Sequence, residues 1–241
     1  MPSSVPTPRP SSTVVLVRDA SDAPEVFMVK RHERSSFGSA YAFPGGVLEP
    51  ADSKVHSFCT GVTASDADRQ LDVAGGGLDY FSAAVRELFE ESGVLLGGTD
   101  LSEQALDAAR TALNDHSLGW DRFVEENNIV MPCDRLRYFS FWITPEGLPK
   151  RYSTRFFLAE LPAGQSALHC GGELTDSCWM QAAQVLDAHR DKTMQVHYPT
   201  RKTLERVAQF DSTVELLAWA SRCAEKGVVC DQPAFAPELL Q

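Results

Sequence analysis

Glu87, Glu90 and Glu91 stand three and four residues apart in the stretch AVRELFEESGVLL (84–96), with Arg86 beside them. At about 100° per residue, Phe81, Ala84, Val85, Leu88 and Phe89 fall on one side of a helix, and the four charged residues fall on the other. Carboxylates at these spacings repel one another by roughly 0.2–0.5 kcal/mol per pair. A shared cation removes that repulsion, and an all-oxygen donor set favours Mg²⁺ or Mn²⁺ over zinc. The bland alternative is a solvated acidic face.

Two neighbours favour the cation. Arg86 is embedded in the cluster, where it can orient a carboxylate. Upstream, YAFPGGVLEP (41–50) breaks regular structure at Pro44, Gly45 and Gly46, giving a tight turn whose carbonyls can reach a metal. Together these features resemble the Nudix box, Gly-x5-Glu-x7-Arg-Glu-U-x-Glu-Glu-x-Gly-U, where U is aliphatic. Its second half matches from Arg86 through Val94. The first half departs: Asp52 stands where Glu is usual, and 33 residues separate it from Arg86 where the pattern has seven. The box is split by about 26 extra residues.

An interrupted box is similar to that of the coenzyme A diphosphatase branch of the Nudix hydrolases, which has peroxisomal and bacterial members. FMVKRHERSSFGSAYAFPGGVLEPAD, FWITPEGLPKRYSTRFFLAEL and HYPTRKTLERV resemble other segments of that branch, so the likeness runs over about residues 13–210. The peroxisomal ending of some members is not found here, and cytoplasmic placement is the expectation.

The resemblance implies an α+β fold of the Nudix type, an α/β/α sandwich with a mixed β-sheet and additional helices. It also implies Mg²⁺- or Mn²⁺-dependent hydrolysis of a nucleoside diphosphate linked to another group. Carried over, Glu87, Glu90 and Glu91 are metal ligands, with the Gly45 carbonyl a further one, and Arg86 orients the carboxylates. Asp52 occupies an acid position one methylene short, and Glu49 buttresses the turn formed by Pro44, Gly45 and Gly46. The general base lies in the box or at Glu173, in CGGELTDSCW. Substrate phosphates need cations, and Arg31, Arg34, Arg151 and Arg155 are the candidates, because guanidinium binds phosphate in bidentate fashion. Coenzyme A or acyl-CoA is the leading substrate. ADP-ribose, NADH or another nucleotide diphosphate is the alternative, and a non-catalytic nucleotide sensor is a third reading. His197 and Tyr198 are as compatible with packing as with the pocket, and the aromatic residues of FSFW and RFFL read as core.

The elements that must position these groups read as follows. TVVLVRD (13–19) and EVFMVKR (25–31) are strands around the turn ASDAP. Residues 53–79 are polar and end in GGGLD, an insertion within the box that lies outside the core. Residues 101–130 read as helical, 136–145 and 154–161 as strands, and CWMQAAQVLDAH as a strand running into a helix. Amphipathic helices at 199–227 are placed to close the pocket or to form a homodimer interface.

The whole chain bounds these readings. It has 241 residues, enough for one domain spanning 13–241, and MPSSVPTPRPSS (1–12) reads as a disordered arm. A net charge of −11 disfavours a nucleic-acid surface, and no apolar run has membrane-spanning length. Six scattered cysteines without a CxxC pair point to free thiols and not to zinc. The expected partner is a small nucleotide substrate.

Overall fold

The computed structural model describes residues 5–31, 40–171 and 174–231, with the backbone alone at Arg31. The chain begins with strands β1 (Arg9–Arg18), β2 (Glu25–Arg31), β3 (Tyr41–Ala42), β4 (Gly45–Val47) and β5 (Cys59–Thr60). Helices α1 (Ala64–Leu71), α2 (Gly77–Ser92), α3 (Glu103–Asn114) and α4 (Trp120–Asn127) follow. Next come β6 (Met131–Pro132), β7 (Arg137–Ile143), β8 (Tyr152–Glu160) and β9 (Leu174–Gln181). Helices α5 (Ala182–Arg190), α6 (Tyr198–Val207) and α7 (Thr213–Lys226) precede the short β10 (Cys230–Asp231).

Among the described residues the main sheet has eight strands, in the order β10-β7-β8-β1-β2-β3, with β4 paired to β1 and β9 to β2. It is mixed: β1 runs parallel to β8 and antiparallel to β2. The run Val14-Val15-Leu16-Val17 has no exposed side chain. Such unbroken apolar strands need cover on both faces. Val14, Leu16, Phe27 and Val29 pack with Phe81, Ala84, Val85 and Leu88 of α2. Val15, Val17, Val26 and Met28 pack on the other face with Val185, Leu204 and Leu216 of the last three helices. The result is the expected α+β sandwich.

One irregularity of the sheet builds the site. β1 pairs with β2 only near Val17 and Arg18. Beyond that the two strands part, and residues 41–47 fill the wedge. β3 pairs with β2 through Val29 and Lys30, while β4 pairs with β1 through Ser11, Ser12 and Thr13. The Pro44 carbonyl accepts from the Val14 amide at 2.8 Å. The turn at Pro44, Gly45 and Gly46 is therefore stitched into the middle of the sheet.

Two sequence expectations change. Residues 9–12 are not a disordered arm: they open β1, where Ser11 and Ser12 are buried. The Ser12 hydroxyl donates to the Tyr80 carbonyl at 2.7 Å, and Ser11 pairs with Thr154. Pairing on both sides, with β8 and β4, outweighs a poor local β propensity. The segment 53–79 does not lie wholly outside the core either. Val55, Ala67 and Leu71 are at most 1% exposed and join the cluster under α2. Thr63 caps α1 by accepting from the Asp66 amide, and α2 itself starts at Gly77, inside the polar stretch.

Candidate active site

α2 ends where the sequence stops it: Gly93 adopts φ 76°, a left-handed cap, and its amide reaches the Phe89 carbonyl. Arg110 Nε and Asn114 Nδ2 of α3 donate to the Glu90 carbonyl, satisfying part of the same terminus. The acidic face of α2 opens onto a cleft of about 650 Å³, whose lining includes Glu49, Glu87, Glu90 and Glu91.

Arg86 is the hub. Its side chain is 3% exposed, and it pairs with Asp52, Glu87 and Glu90 at 3.1, 2.8 and 3.3 Å. Its Nη2 also donates to the Val47 carbonyl at 2.9 Å, which ties α2 to β4. Asp52 is fully buried beneath it, accepting from Arg86 Nε and Nη2, the Ser82 hydroxyl and the Glu49 amide. Trp120 Nε1 donates to the same Ser82 hydroxyl at 3.0 Å. Asp52 therefore anchors the arginine and does not face the cleft. Its short side chain reaches because the 3-10 turn Asp52–Lys54, closed by the Asp52 amide on the Glu49 carbonyl, carries it inward.

The carboxylates above this anchor are crowded. Burial pushes Glu87 up to about 8, helped by Glu91 and Glu90 and opposed by Arg86. Burial likewise pushes Glu90 up to about 7, with Arg86 opposing and Glu49, Asp52 and Glu91 adding to the rise. Burial also raises Asp52, against the pull of Arg86. Burial on its own would lower Arg86, but Glu87 and Asp52 outweigh it and hold the guanidinium charged.

The turn meets these groups at close range. The Gly45 amide donates to Glu91 Oε2 at 2.9 Å. A Cβ at Gly46 would sit 2.2 Å from Glu87 Oε1, so only glycine lets that carboxylate lie against the turn. Among the described residues the acidic groups are not gathered into a finished cation cage. Arg86 and the Gly45 amide hold the carboxylate oxygens instead.

The remaining expected residues divide. Pro44, Gly45, Gly46, Glu49, Asp52, Arg86, Glu87, Glu90 and Glu91 are brought together. For Gly45 the described contact to the cluster is its amide, not the expected carbonyl. The Glu49 amide donates to Asp52 Oδ2 and its carbonyl accepts from the Asp52 amide, while its side chain is exposed at the cleft. Arg151 and Arg155 are not brought to the cleft wall. Arg151 is 6% exposed and donates to the Thr144 and Pro6 carbonyls. Arg155 is 4% exposed, lies 3.2 Å over the Phe141 ring and donates to the Leu71 carbonyl. Both are consumed by packing, so neither is placed for a phosphate. Arg34, Glu173 and the side chain of Arg31 lie outside the described residues.

Sequence reasoning missed Ser82 and Trp120, whose polar atoms complete the buried network. It also missed Arg9, an exposed cation lining the cleft from the start of β1. The aromatic run FSFW is core at Phe139, but Trp142 lines the cleft, as do His197 and Tyr198.

No family model matches the chain. A Caenorhabditis elegans protein named nudix hydrolase 7 is 27% identical over 163 residues, covering 67% of this chain and 48% of the relative. Acyl-coenzyme A diphosphatase NUDT19 of Xenopus laevis is 24% identical over 234 residues, covering 80% of this chain and 62% of the relative. The chain thus spans about half to three-fifths of the length of these relatives. The crystal structure of a NUDIX hydrolase from Alicyclobacillus acidocaldarius superposes with a TM-score of 0.70 at 23% identity, over 88% of this chain and 96% of that one. The chain has the Nudix hydrolase fold and, in sequence, resembles the Nudix hydrolases, an acyl-coenzyme A diphosphatase among them.

Proposed function

We propose that the chain is a divalent-cation-dependent diphosphatase that cleaves a nucleotide derivative, with coenzyme A or acyl-CoA as substrate and 3′,5′-ADP and (acyl)phosphopantetheine as products. The observation that carries this reading is the acidic face of α2, set over a buried Arg86–Asp52 pair and opening into a cleft. The acyl-coenzyme A diphosphatase relative supports the substrate.

The residues fit a divalent cation. Glu87, Glu90 and Glu91 are oxygen donors on one helix face, and Glu87 and Glu90 are pushed above the ordinary carboxylate range. That rise reflects burial and crowding of negative charge, which a Mg²⁺ or Mn²⁺ ion relieves. These three side chains would hold it. A divalent cation held there would supply neutralisation of the diphosphate charge and a more acidic attacking water.

The chain's own groups do the rest. Asp52 fixes Arg86, and Arg86 fixes the rotamers of Glu87 and Glu90. The Gly45 amide fixes Glu91 in the same way. This pre-set geometry removes reorganisation from the reaction. A carboxylate at the cleft accepts the proton of the attacking water.

The deciding measurement is a hydrolysis screen with Mg²⁺ across coenzyme A, acetyl-CoA, ADP-ribose and NADH, with products identified by mass. Release of 3′,5′-ADP from the CoA species is the expected result. Cleavage of ADP-ribose with none of CoA moves the substrate to other nucleotide diphosphates. No cleavage of any of them sinks the enzymatic reading.

A further inference from the structure

Six cysteines are spread along the chain, and two of them meet. Cys59 opens β5, and Cys133 follows directly on β6. These short strands pair in parallel, Cys59 against Met131 and Thr60 against Pro132. Past the pairing the two segments stay close: a Cβ on Gly61, where φ is 78°, would collide with the Asp134 carboxylate. Met131 and Cys133, two residues apart, are both fully buried, and Cys59 packs against the same apolar cluster. The Cys133 thiol donates a hydrogen bond to the Cys59 sulfur, and the Thr60 amide donates to the Cys133 sulfur.

The two thiols are unequal. Cys59 is partly exposed and open to a small oxidant, whereas Cys133 has no exposed surface. The hydrogen bond from Cys133 draws the Cys59 thiol below its ordinary range, against burial and the charges of Asp79 and Asp52. Cys133 is raised by that same bond, by burial and by the charge of Cys59. Burial also raises Cys178, Cys223 and Cys230, which sets Cys59 apart from them. The thiolate is the nucleophilic form of cysteine. An accessible, readily ionised cysteine beside a second thiol is the arrangement that oxidises reversibly, because the neighbour captures the first oxidation product.

We propose that Cys59 and Cys133 form a reversible disulfide under a hydroperoxide oxidant, with Cys59 as the attacking thiol and Cys133 as the resolving one. The Cys59 thiolate attacks one oxygen of hydrogen peroxide, and the O–O bond breaks. The departing hydroxide takes up the proton that Cys59 released and leaves as water. The Cys133 thiol then displaces the hydroxyl of the Cys59 sulfenic acid: the S–S bond forms, the S–O bond breaks, and a second water carries off the Cys133 proton. The two sulfurs together lose two electrons, and one peroxide is reduced to two waters. The bridge closes the loop from Cys59 to Cys133, which holds α1 to α4 and with them the acidic face of α2. Closing so long a loop stabilises the fold by constraining the unfolded chain. The inference does not depend on what α2 cleaves.

The test uses the full chain, treated with stoichiometric hydrogen peroxide and compared with the chain kept in dithiothreitol. Peptide mapping without reduction should recover a cross-linked Cys59–Cys133 pair, and dithiothreitol should release it. The oxidised chain should melt roughly 5 °C or more above the reduced one. Cys59→Ser and Cys133→Ser should each abolish that rise, and Cys178→Ser should keep it. Melts in dithiothreitol check that each variant is folded, and the wild-type map needs no variant. Cys133→Ser should also leave Cys59 as a sulfenic acid, trapped as a dimedone adduct, which a merely structural thiol would not give. A cross-link between other cysteines, a map free of disulfide after peroxide, or a melting temperature that peroxide leaves unchanged overturns the inference. So does oxidation of Cys59 to the sulfinic acid while Cys133 stays reduced.

Discussion

Arg86 and Arg155 are both buried arginines, yet their surroundings are opposite. Arg86 is held by three carboxylates and a carbonyl. Arg155 has no acidic partner within salt-bridge distance among the described residues. Its guanidinium lies over Phe141 and 5.3 Å from the Tyr80 ring centroid, and its Nε is unpaired. Nearly one sequence feature, an arginine in a charged or aromatic run, thus serves two ends. In the first case burial concentrates charge at a cleft. In the second it seals an aromatic cage beneath α1 and α2. A buried cation marks chemistry when the groups that balance it also face a cavity.

The largest effect tests the cleft side of this contrast. Glu90→Gln and Glu91→Gln should each lower turnover by roughly a hundredfold or more, since charge stabilisation by a bound cation is worth several kcal/mol. The folds should survive, as both residues lie at the cleft. Steady-state kinetics with Mg²⁺ on folded variants decide it, and wild-type rates in either would end the assignment of these residues.

The arginines themselves come next. Arg86→Ala leaves Asp52 buried without its counter-ion, and should cost about 3–5 kcal/mol of stability. Arg155→Met keeps most of the volume and strands no charge, so it loses only the contacts with the Phe141 and Tyr80 rings and the hydrogen bonds to Ser153 and the Leu71 carbonyl, about 2–3 kcal/mol. Denaturant unfolding of both variants gives the comparison directly. Equal losses would mean that Asp52 is not what makes Arg86 indispensable.

Legibility in the sequence follows the range of the interactions. The acidic face of α2 and the strand β2 were readable, because periodicity and propensity are local. The partnership of Arg86 with Asp52 was not, since 33 intervening residues hide it from any short pattern. The start of β1 was missed for the same reason: Pro10, Ser11 and Ser12 are strand only because β8 and β4 pair with them. Arg151 and Arg155 read as phosphate ligands by type, whereas their burial is set by tertiary packing. The segment 53–79 hid its core residues behind a polar average. Leu71→Ala there should cost about 2–4 kcal/mol, measured by the same unfolding experiment, because Leu71 is 1% exposed. A loss below half a kcal/mol would return the segment to a dispensable surface insertion.

The smallest effect is in pH. Burial and the crowding of carboxylates push Glu87 up to about 8 and Glu90 up to about 7 in the folded chain, against about 4.3 for an unperturbed glutamate. Between these limits the folded state holds protons that the unfolded state has released. Stability therefore falls as pH rises, beginning near the unfolded value and finishing near 8. Asp52 is raised as well and adds to the same fall, whereas Asp66, Asp115, Asp121 and Asp176 are lowered, so their contributions are lost only on acidification below the ordinary range. Glu87→Gln removes one of these titrations. The melting temperature of the wild type minus that of Glu87→Gln should fall by a few degrees from pH 5 to pH 8, at about 2–4 °C per kcal/mol for a chain of this size. Adding Mg²⁺ at pH 8 should raise the wild type more than the variant, because the cation binds the deprotonated cluster. A pH-independent difference would show that Arg86 already neutralises Glu87. The carboxylate side of the contrast would then be as self-contained as the aromatic cage around Arg155.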